Sequence, residues 1–125
     1  VEFVMQVQGV QATERREQSL AILEEVGLKG LEKRRPAEMS GGQQQRVAVA
    51  RAIVSRPALV LADEPTANLD SKTSDELMEL FTELNEHHNT TFVIATHDQR
   101  VMAYAKRLVR MLDGRIVDDI EQDAA

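Results

Sequence analysis

Three short stretches of this 125-residue sequence combine residue types that could bind and cleave a phosphate compound. In the first, Gly41 and Gly42 follow Ser40 and precede Gln43, directly before a helical pattern. A helix N-terminus carries unpaired N–H groups and about half a positive charge, and glycine lets an anion approach the backbone closely. Serine is also a favoured helix N-cap, so the motif taken alone fits a simple turn and cap better than a binding site.

The other two stretches place polar side chains directly after apolar runs. Asp63 and Glu64 end "LVLADE", and His97 and Asp98 end "FVIATHD". If both runs are parallel strands, these residues lie at the carboxyl edge of the sheet, where open α/β sheets bind ligands. One carboxylate could hold Mg²⁺, directly or through water, while the other orients or deprotonates a water. His97 could reach the same ligand, although an exposed acidic strand end and a structural histidine remain the simpler alternatives.

The surrounding patterns predict the elements that would position these residues. We expect a helix over residues 14–26, capped by Thr13, with Leu20, Leu23 and Val26 on its buried face. Gly27 fits the left-handed position that ends such a helix, with Leu28 folding back onto Leu23.

The remaining elements alternate between helix and strand. We expect a helix from Gly41 or Gly42 to about Ser55, a buried parallel strand "ALVLAD", a helix over about 74–87, a buried strand "TFVIAT", a short helix over about 99–105 and a hairpin around Asp113-Gly114. The helix over about 74–87 should bury Leu77, Leu80, Phe81 and Leu84. A strand, helix, strand series of this length predicts a right-handed parallel crossover, and hence an α/β fold.

Composition excludes several classes of protein. The net charge is -6, which lacks the basic footprint of a nucleic-acid-binding protein. The absence of cysteine excludes disulfides, a thiol nucleophile and a Cys-based zinc site. The longest apolar runs are about five residues, far short of the roughly 20 that span a bilayer.

Together the motifs resemble the ATP-binding-cassette (ABC) ATPases, the nucleotide-binding subunits of ABC transporters. "MSGGQ", "LVLADE", "ANLD" and "ATHD" occur in the order and spacing of that family. The phrase "LADEPTANLD" is most similar to the subgroup that drives lipoprotein release and macrolide export. Met39 stands where leucine is commoner, and Ala67 where glycine or serine is frequent.

The resemblance implies a role for each motif residue. Ser40, Gly41, Gly42 and Gln43 would form the signature that binds the γ-phosphate of a nucleotide held by the opposite subunit. Asp63 would support Mg²⁺ and Glu64 would polarise the attacking water. Asp70 would communicate across the dimer, and His97 would contact the γ-phosphate.

Part of the family pattern is missing from the sequence. None of the six glycines is followed by lysine, so the phosphate-cradling P-loop (Walker A) does not occur. The chain begins at Val1 and its first residues resemble the stretch after the family's glutamine loop. We therefore expect the C-terminal half of a larger ATPase, with a helical signature subdomain at 1–56 and the C-terminal part of the catalytic core at 57–125.

By the same resemblance, the full-length protein would bind ATP and Mg²⁺, hydrolyse ATP as a homodimer and drive transport with transmembrane permease subunits. It would lie on the cytoplasmic side of the inner or plasma membrane and bind no nucleic acid. The isolated chain would be inactive, because it lacks the P-loop lysine. The alternatives are an ABC ATPase acting in cell division, on DNA or on ribosomes, and an ABC-like interaction module that does not hydrolyse ATP.

Overall fold

The computed structural model describes residues 1–122 as five α-helices and four strands with one short 3₁₀ turn. The helices are α1 (Glu2–Val7), α2 (Ala12–Glu25), α3 (Gly41–Ile53), α4 (Ser71–His88) and α5 (Gln99–Met102), and the turn spans Pro36–Glu38. The strands are β1 (Leu59–Asp63), β2 (Thr91–Ala95), β3 (Arg107–Leu112) and β4 (Arg115–Glu121). Residues 123–125, the end of the second expected unit, lie outside the described residues.

The expected parallel pair is present. β1 pairs with β2 in parallel, with Leu59 opposite Thr91 and Asp63 opposite Ala95. β3 and β4 form a separate antiparallel hairpin around Asp113 and Gly114. The α/β fold class is therefore confirmed, and so are the parallel pairing and the hairpin.

The apolar core lies between α4 and the other helices. The predicted α4 face is confirmed, since its four apolar residues are all buried; they are Leu77, Leu80, Phe81 and Leu84. The ring of Phe81 packs on Phe92 of β2 with centroids 4.9 Å apart, which attaches the helix to the sheet. Tyr104, just after α5, packs against the same core, and its hydroxyl lies 3.5 Å from a carboxylate oxygen of Asp75 on α4.

The predicted start and inner face of α2 are wrong in part. The helix begins at Ala12 with Gln11 as its N-cap, not Thr13, because the chain leaves α1 through a left-handed Gly9 and turns at once. The side chain buried beside Ile22 is Ser19, whereas Leu20 is 39% exposed. Packing against the neighbouring helices, rather than local hydrophobicity, fixes this face.

The predicted end of α2 is confirmed. Gly27 adopts a φ of 83°, and its N–H donates to the carbonyl of Glu24. The N–H of Leu28 donates to the carbonyl of Leu23 over 2.7 Å. These two bonds define a Schellman ending, which satisfies carbonyls that the helix leaves unpaired.

Three other predicted boundaries differ by a few residues. α3 ends at Ile53 rather than near Ser55, and α5 ends at Met102 rather than near Ala105. α4 begins at Ser71 rather than near Ser74, because Asp70 in extended conformation serves as its N-cap residue.

The expectation of two buried strands is wrong for one face of the sheet. Val60, Phe92 and Ile94 pack towards the core, but the alternate residues Leu59, Leu61 and Val93 are 52%, 74% and 51% exposed. Within residues 1–122, no third strand pairs with β1 or β2. A parallel sheet normally has both faces covered, so this apolar face and its open edges favour association.

We predict that the 125-residue chain, produced alone, self-associates through the exposed face of β1 and β2. Leu61→Lys should weaken the association without unfolding the chain, because Leu61 is already exposed and lysine protects strand surfaces. Light scattering over a concentration series measures the effect. Val7→Lys is the matched control, since Val7 is 72% exposed on α1. A wild-type chain that stays monomeric at high concentration and binds no hydrophobic dye would refute this prediction.

Candidate functional site

The signature residues form a regular helix N-terminus. The hydroxyl of Ser40 accepts from the backbone N–H of Gln43 over 3.2 Å, and the Gln43 side-chain oxygen accepts from the Ser40 N–H over 3.0 Å. This reciprocal pair is a capping box, which fixes where α3 begins. The motif thus forms a turn and a helix cap, as the simpler explanation states. The cap leaves the N-terminus of α3 exposed to an anion.

Gly41 and Gly42 face the start of α4. A Cβ added at Gly42 would lie 2.5 Å from Cγ2 of Thr73, which is a clash, whereas one at Gly41 would lie 3.4 Å from Cδ2 of Leu69. A side chain at position 42 would therefore overpack against Thr73, independently of any ligand. No sequence pattern indicates this contact, because Thr73 lies 31 residues away along the chain.

The two carboxylates stand at the end of β1 and differ in backbone conformation. Asp63 is the last β1 residue and is exposed. Glu64 continues the ladder through its N–H, which donates to the Ala95 carbonyl over 2.8 Å, but its φ of 47° is left-handed. A non-glycine residue in this conformation costs about 1–3 kcal/mol and persists only where its surroundings hold it.

The structure brings Glu64 and His97 together. His97 follows β2, its side chain is fully exposed, and its Nε2 lies 3.5 Å from Oε1 of Glu64. This is the arrangement expected at the carboxyl edge of two neighbouring parallel strands. The two side chains can share a water or contact one ligand from adjacent positions.

Asp70 occupies the N-cap position of α4, beside the signature. The Thr73 hydroxyl holds the pKa of the Asp70 carboxyl below its ordinary value, although the side-chain geometry falls short of a capping hydrogen bond. Thr73, whose hydroxyl acts on Asp70, also lies against Gly42. The segment named from the "ANLD" motif thus adjoins the signature helix within one chain.

A protein-only metal cage is absent from residues 1–122, since no three His, Asp or Glu side chains cluster there. Mg²⁺ usually takes one or two protein carboxylates and completes its shell with water and substrate phosphates. Asp63, exposed at a strand end, is a suitable single carboxylate of that kind.

Comparison with known proteins identifies the family. The model of the ABC transporter family matches residues 2–67. The chain belongs to the ABC transporter family. No helix within residues 1–122 is long and apolar enough to cross a membrane.

Two relatives indicate which type of ABC transporter protein the chain resembles. The chain is 46% identical to a lipoprotein-releasing system ATP-binding protein LolD of Geobacter metallireducens, over 90% of this chain and 50% of that protein. It is 48% identical to a macrolide export ATP-binding/permease protein MacB of Rhodopirellula baltica, over 87% of this chain and 16% of that protein. The chain thus spans half or less of the length of these relatives, and its similarity to the lipoprotein-release and macrolide-export type is confirmed.

A solved structure supports the same assignment. A dimeric ATP-binding cassette in a post-hydrolysis state, bound to ADP and Pi, is 39% identical, with a TM-score of 0.75 over 90% of this chain and 49% of that one. The fold is accordingly part of an ABC ATPase cassette of the P-loop NTPase class.

We predict that Gly42→Ala destabilises the chain by about 1–3 kcal/mol, because the added methyl group overpacks against Thr73. Urea unfolding followed by circular dichroism measures the change. Gly41→Ala is the matched control and should be neutral or slightly stabilising, since alanine is the better helix former and meets only an ordinary contact. Adding Thr73→Ser, which removes the clashing methyl group, should restore most of the stability of Gly42→Ala. Equal losses from both glycine variants would contradict the packing role.

Proposed function

We propose that this chain supplies the signature and water-activating half of a transport ATPase that binds and hydrolyses ATP as a homodimer. The observation that carries the proposal is the meeting of Asp63, Glu64 and His97 at one edge of the β1–β2 pair, with Glu64 and His97 3.5 Å apart. The names of the relatives, which include export and lipoprotein-releasing ATP-binding proteins, support transport.

Each residue has a role that its position allows. Glu64 orients and polarises the attacking water, and His97 donates a hydrogen bond to the γ-phosphate that this water attacks. Asp63 would hold Mg²⁺, directly or through water, and the ion would supply positive charge against the phosphates of ATP. Asp70, at the start of α4, communicates with the opposite subunit.

The signature acts on a second nucleotide. Ser40, Gly41, Gly42 and Gln43 present the N–H groups and positive end of α3 to the γ-phosphate of ATP held by the partner. The chain alone is inactive, because the lysine and the Ser/Thr of a P-loop are needed to hold the phosphates.

The wider setting follows from the same proposal. Residues 1–56 form the helical signature subdomain, and residues 57–125 form the C-terminal part of the catalytic core. The ATPase binds transmembrane permease subunits at the cytoplasmic side of the inner or plasma membrane, as a peripheral subunit. It acts on no nucleic acid, in keeping with its net charge of -6.

We predict that Glu64→Gln in the full-length ATPase lowers kcat by roughly 10²–10⁴-fold, because an amide cannot accept a proton from water. ATP binding and ATP-driven dimerisation should persist, since the substitution removes no phosphate contact. Phosphate release and size-exclusion chromatography measure the two properties. Glu83→Gln, on the exposed side of α4, is the control for loss of one acidic charge. Normal turnover by the Glu64→Gln protein would remove Glu64 from this role.

We predict that Gly41→Asp in the full-length ATPase abolishes ATP-driven dimerisation while leaving the fold at least as stable. A carboxylate at a helix N-terminus interacts favourably with the helix dipole, but here it would occupy the place of the incoming phosphate. Gly41 suits this test better than Gly42, because its Cβ position meets only an ordinary contact. Gly41→Asn is the neutral control of the same shape and should dimerise better than Gly41→Asp. If dimerisation with non-hydrolysable nucleotide is unchanged in Gly41→Asp, the motif is only a turn and cap.

A further inference from the structure

The three consecutive glutamines at the start of α3 bind three different backbone segments. Gln43 closes the cap on Ser40. The amide of Gln44 donates to the carbonyls of Pro36 (2.9 Å) and Met39 (3.1 Å), within the preceding loop. The amide of Gln45 reaches in the other direction, to the carbonyl of Pro65 over 2.6 Å. Only the last of these bonds leads towards the candidate catalytic carboxylate.

The segment that Gln45 binds is the strained turn after β1. Glu64 has its left-handed φ here; its N–H donates to Ala95, and its carbonyl accepts from the N–H of Ala67 over 3.1 Å. Pro65 has no N–H to donate and is buried. Among the side-chain hydrogen bonds of residues 1–122, the one from Gln45 is the only one made to a carbonyl of this turn. It therefore fixes the Pro65–Thr66 peptide, one residue after Glu64.

We propose that Gln45 is a positioning residue that holds the carboxylate of Glu64 in its place beside His97 and ties that place to the signature helix. The inference rests on the proposed function, because it assigns Gln45 an effect on hydrolysis through Glu64. Gln45 does not itself touch the reacting atoms. It acts through one backbone carbonyl, on a turn whose conformation is otherwise unfavourable.

The same bond has a mechanical consequence. Gln45 lies five residues after the Ser40 cap, about 7.5 Å along the helix axis. A shift of α3 when phosphate binds its N-terminus would therefore pull on Pro65. The link would join the nucleotide site to which this chain lends its signature with the site to which it lends Glu64.

The test compares two substitutions of identical chemistry in the full-length ATPase, Gln45→Glu and Gln44→Glu. Each keeps the side-chain shape and replaces the donating amide by an acceptor, so each loses its bonds to carbonyls. We expect Gln45→Glu to lower kcat by about 10- to 100-fold, as a small displacement of a reacting group does. The KM for ATP and the equilibrium affinity for ATP should stay within about twofold of wild type. A tenfold change in affinity would correspond to about 1.4 kcal/mol, so the expected change in binding free energy is well below that value. Gln44→Glu should retain wild-type kcat.

Two further variants separate positioning from damage to the fold. Gln45→Lys retains a donor that can reach Pro65 and should recover most of the kcat, whereas Gln45→Met has similar length and no donor and should not. If Gln45→Glu fails to fold, the comparison of Lys with Met decides the question. Equal kcat values for those two variants, or a loss that appears in KM rather than in kcat, would overturn the inference.

Failure of the positioning role of Gln45 can be distinguished from failure of the proposed function. A Gln45→Glu protein with normal kcat, alongside an inactive Glu64→Gln protein, removes only the positioning role. Normal turnover by Glu64→Gln removes the proposed function, and the positioning role with it.

Discussion

Parallel pairing of β1 with β2 is the constraint on which the candidate catalytic edge depends. The register sets Asp63 opposite Ala95, so the chain leaves both strands at the same level. Glu64 and His97 then emerge side by side. α4 holds the pair in place by packing Phe81 on Phe92. If one strand slipped by one residue, its side chains would turn to the opposite face of the sheet, and Glu64 and His97 would be separated.

The signature helix is fixed at several points along its length. Near its start, Gly42 packs on Thr73 and Gln45 binds Pro65. At the next residue, the guanidinium of Arg46 donates to the carbonyl of Val26 over 2.8 Å, at the end of α2. A Cβ at Gly27 would lie 2.9 Å from that guanidinium, so the glycine that ends α2 also makes room for α3. These contacts attach the helix to α2, to α4 and to the turn after β1.

Sequence patterns predicted the helices and strands better than they predicted what packs against them. The inner face of α4 could be predicted because its four apolar residues repeat with helical spacing, and the hairpin because Asp-Gly marks a tight turn. The inner face of α2 could not, since a serine is buried where a leucine is the more hydrophobic choice. The exposed faces of β1 and β2 were also missed, because an apolar run shows that a strand can be covered and not that it is.

The candidate site could be predicted only in part, for a related reason. The order and spacing of the motifs indicated the strand-end residues Glu64 and His97, and the sheet places these two together. The left-handed conformation of Glu64, the clash that keeps residue 42 a glycine and the bond from Gln45 all arise from contacts between residues 20 or more positions apart or from a single backbone angle. Such contacts leave no periodic signal. The roles of Ser40, Asp63, Glu64, Asp70 and His97 therefore stay predictions that the geometry permits.

Tyr104 is an intrinsic spectroscopic probe of this protein. The chain has one tyrosine and no tryptophan, so its near-ultraviolet absorbance and intrinsic emission above the phenylalanine background come from a single phenol. That phenol lies where the segment after α5 meets α4, and burial, followed by the negative charge of Asp75, raises the pKa of its hydroxyl above the ordinary value. An alkaline spectroscopic titration would consequently report on one contact. Because α5 directly follows His97 and Asp98, that contact lies only a few residues from the candidate catalytic edge.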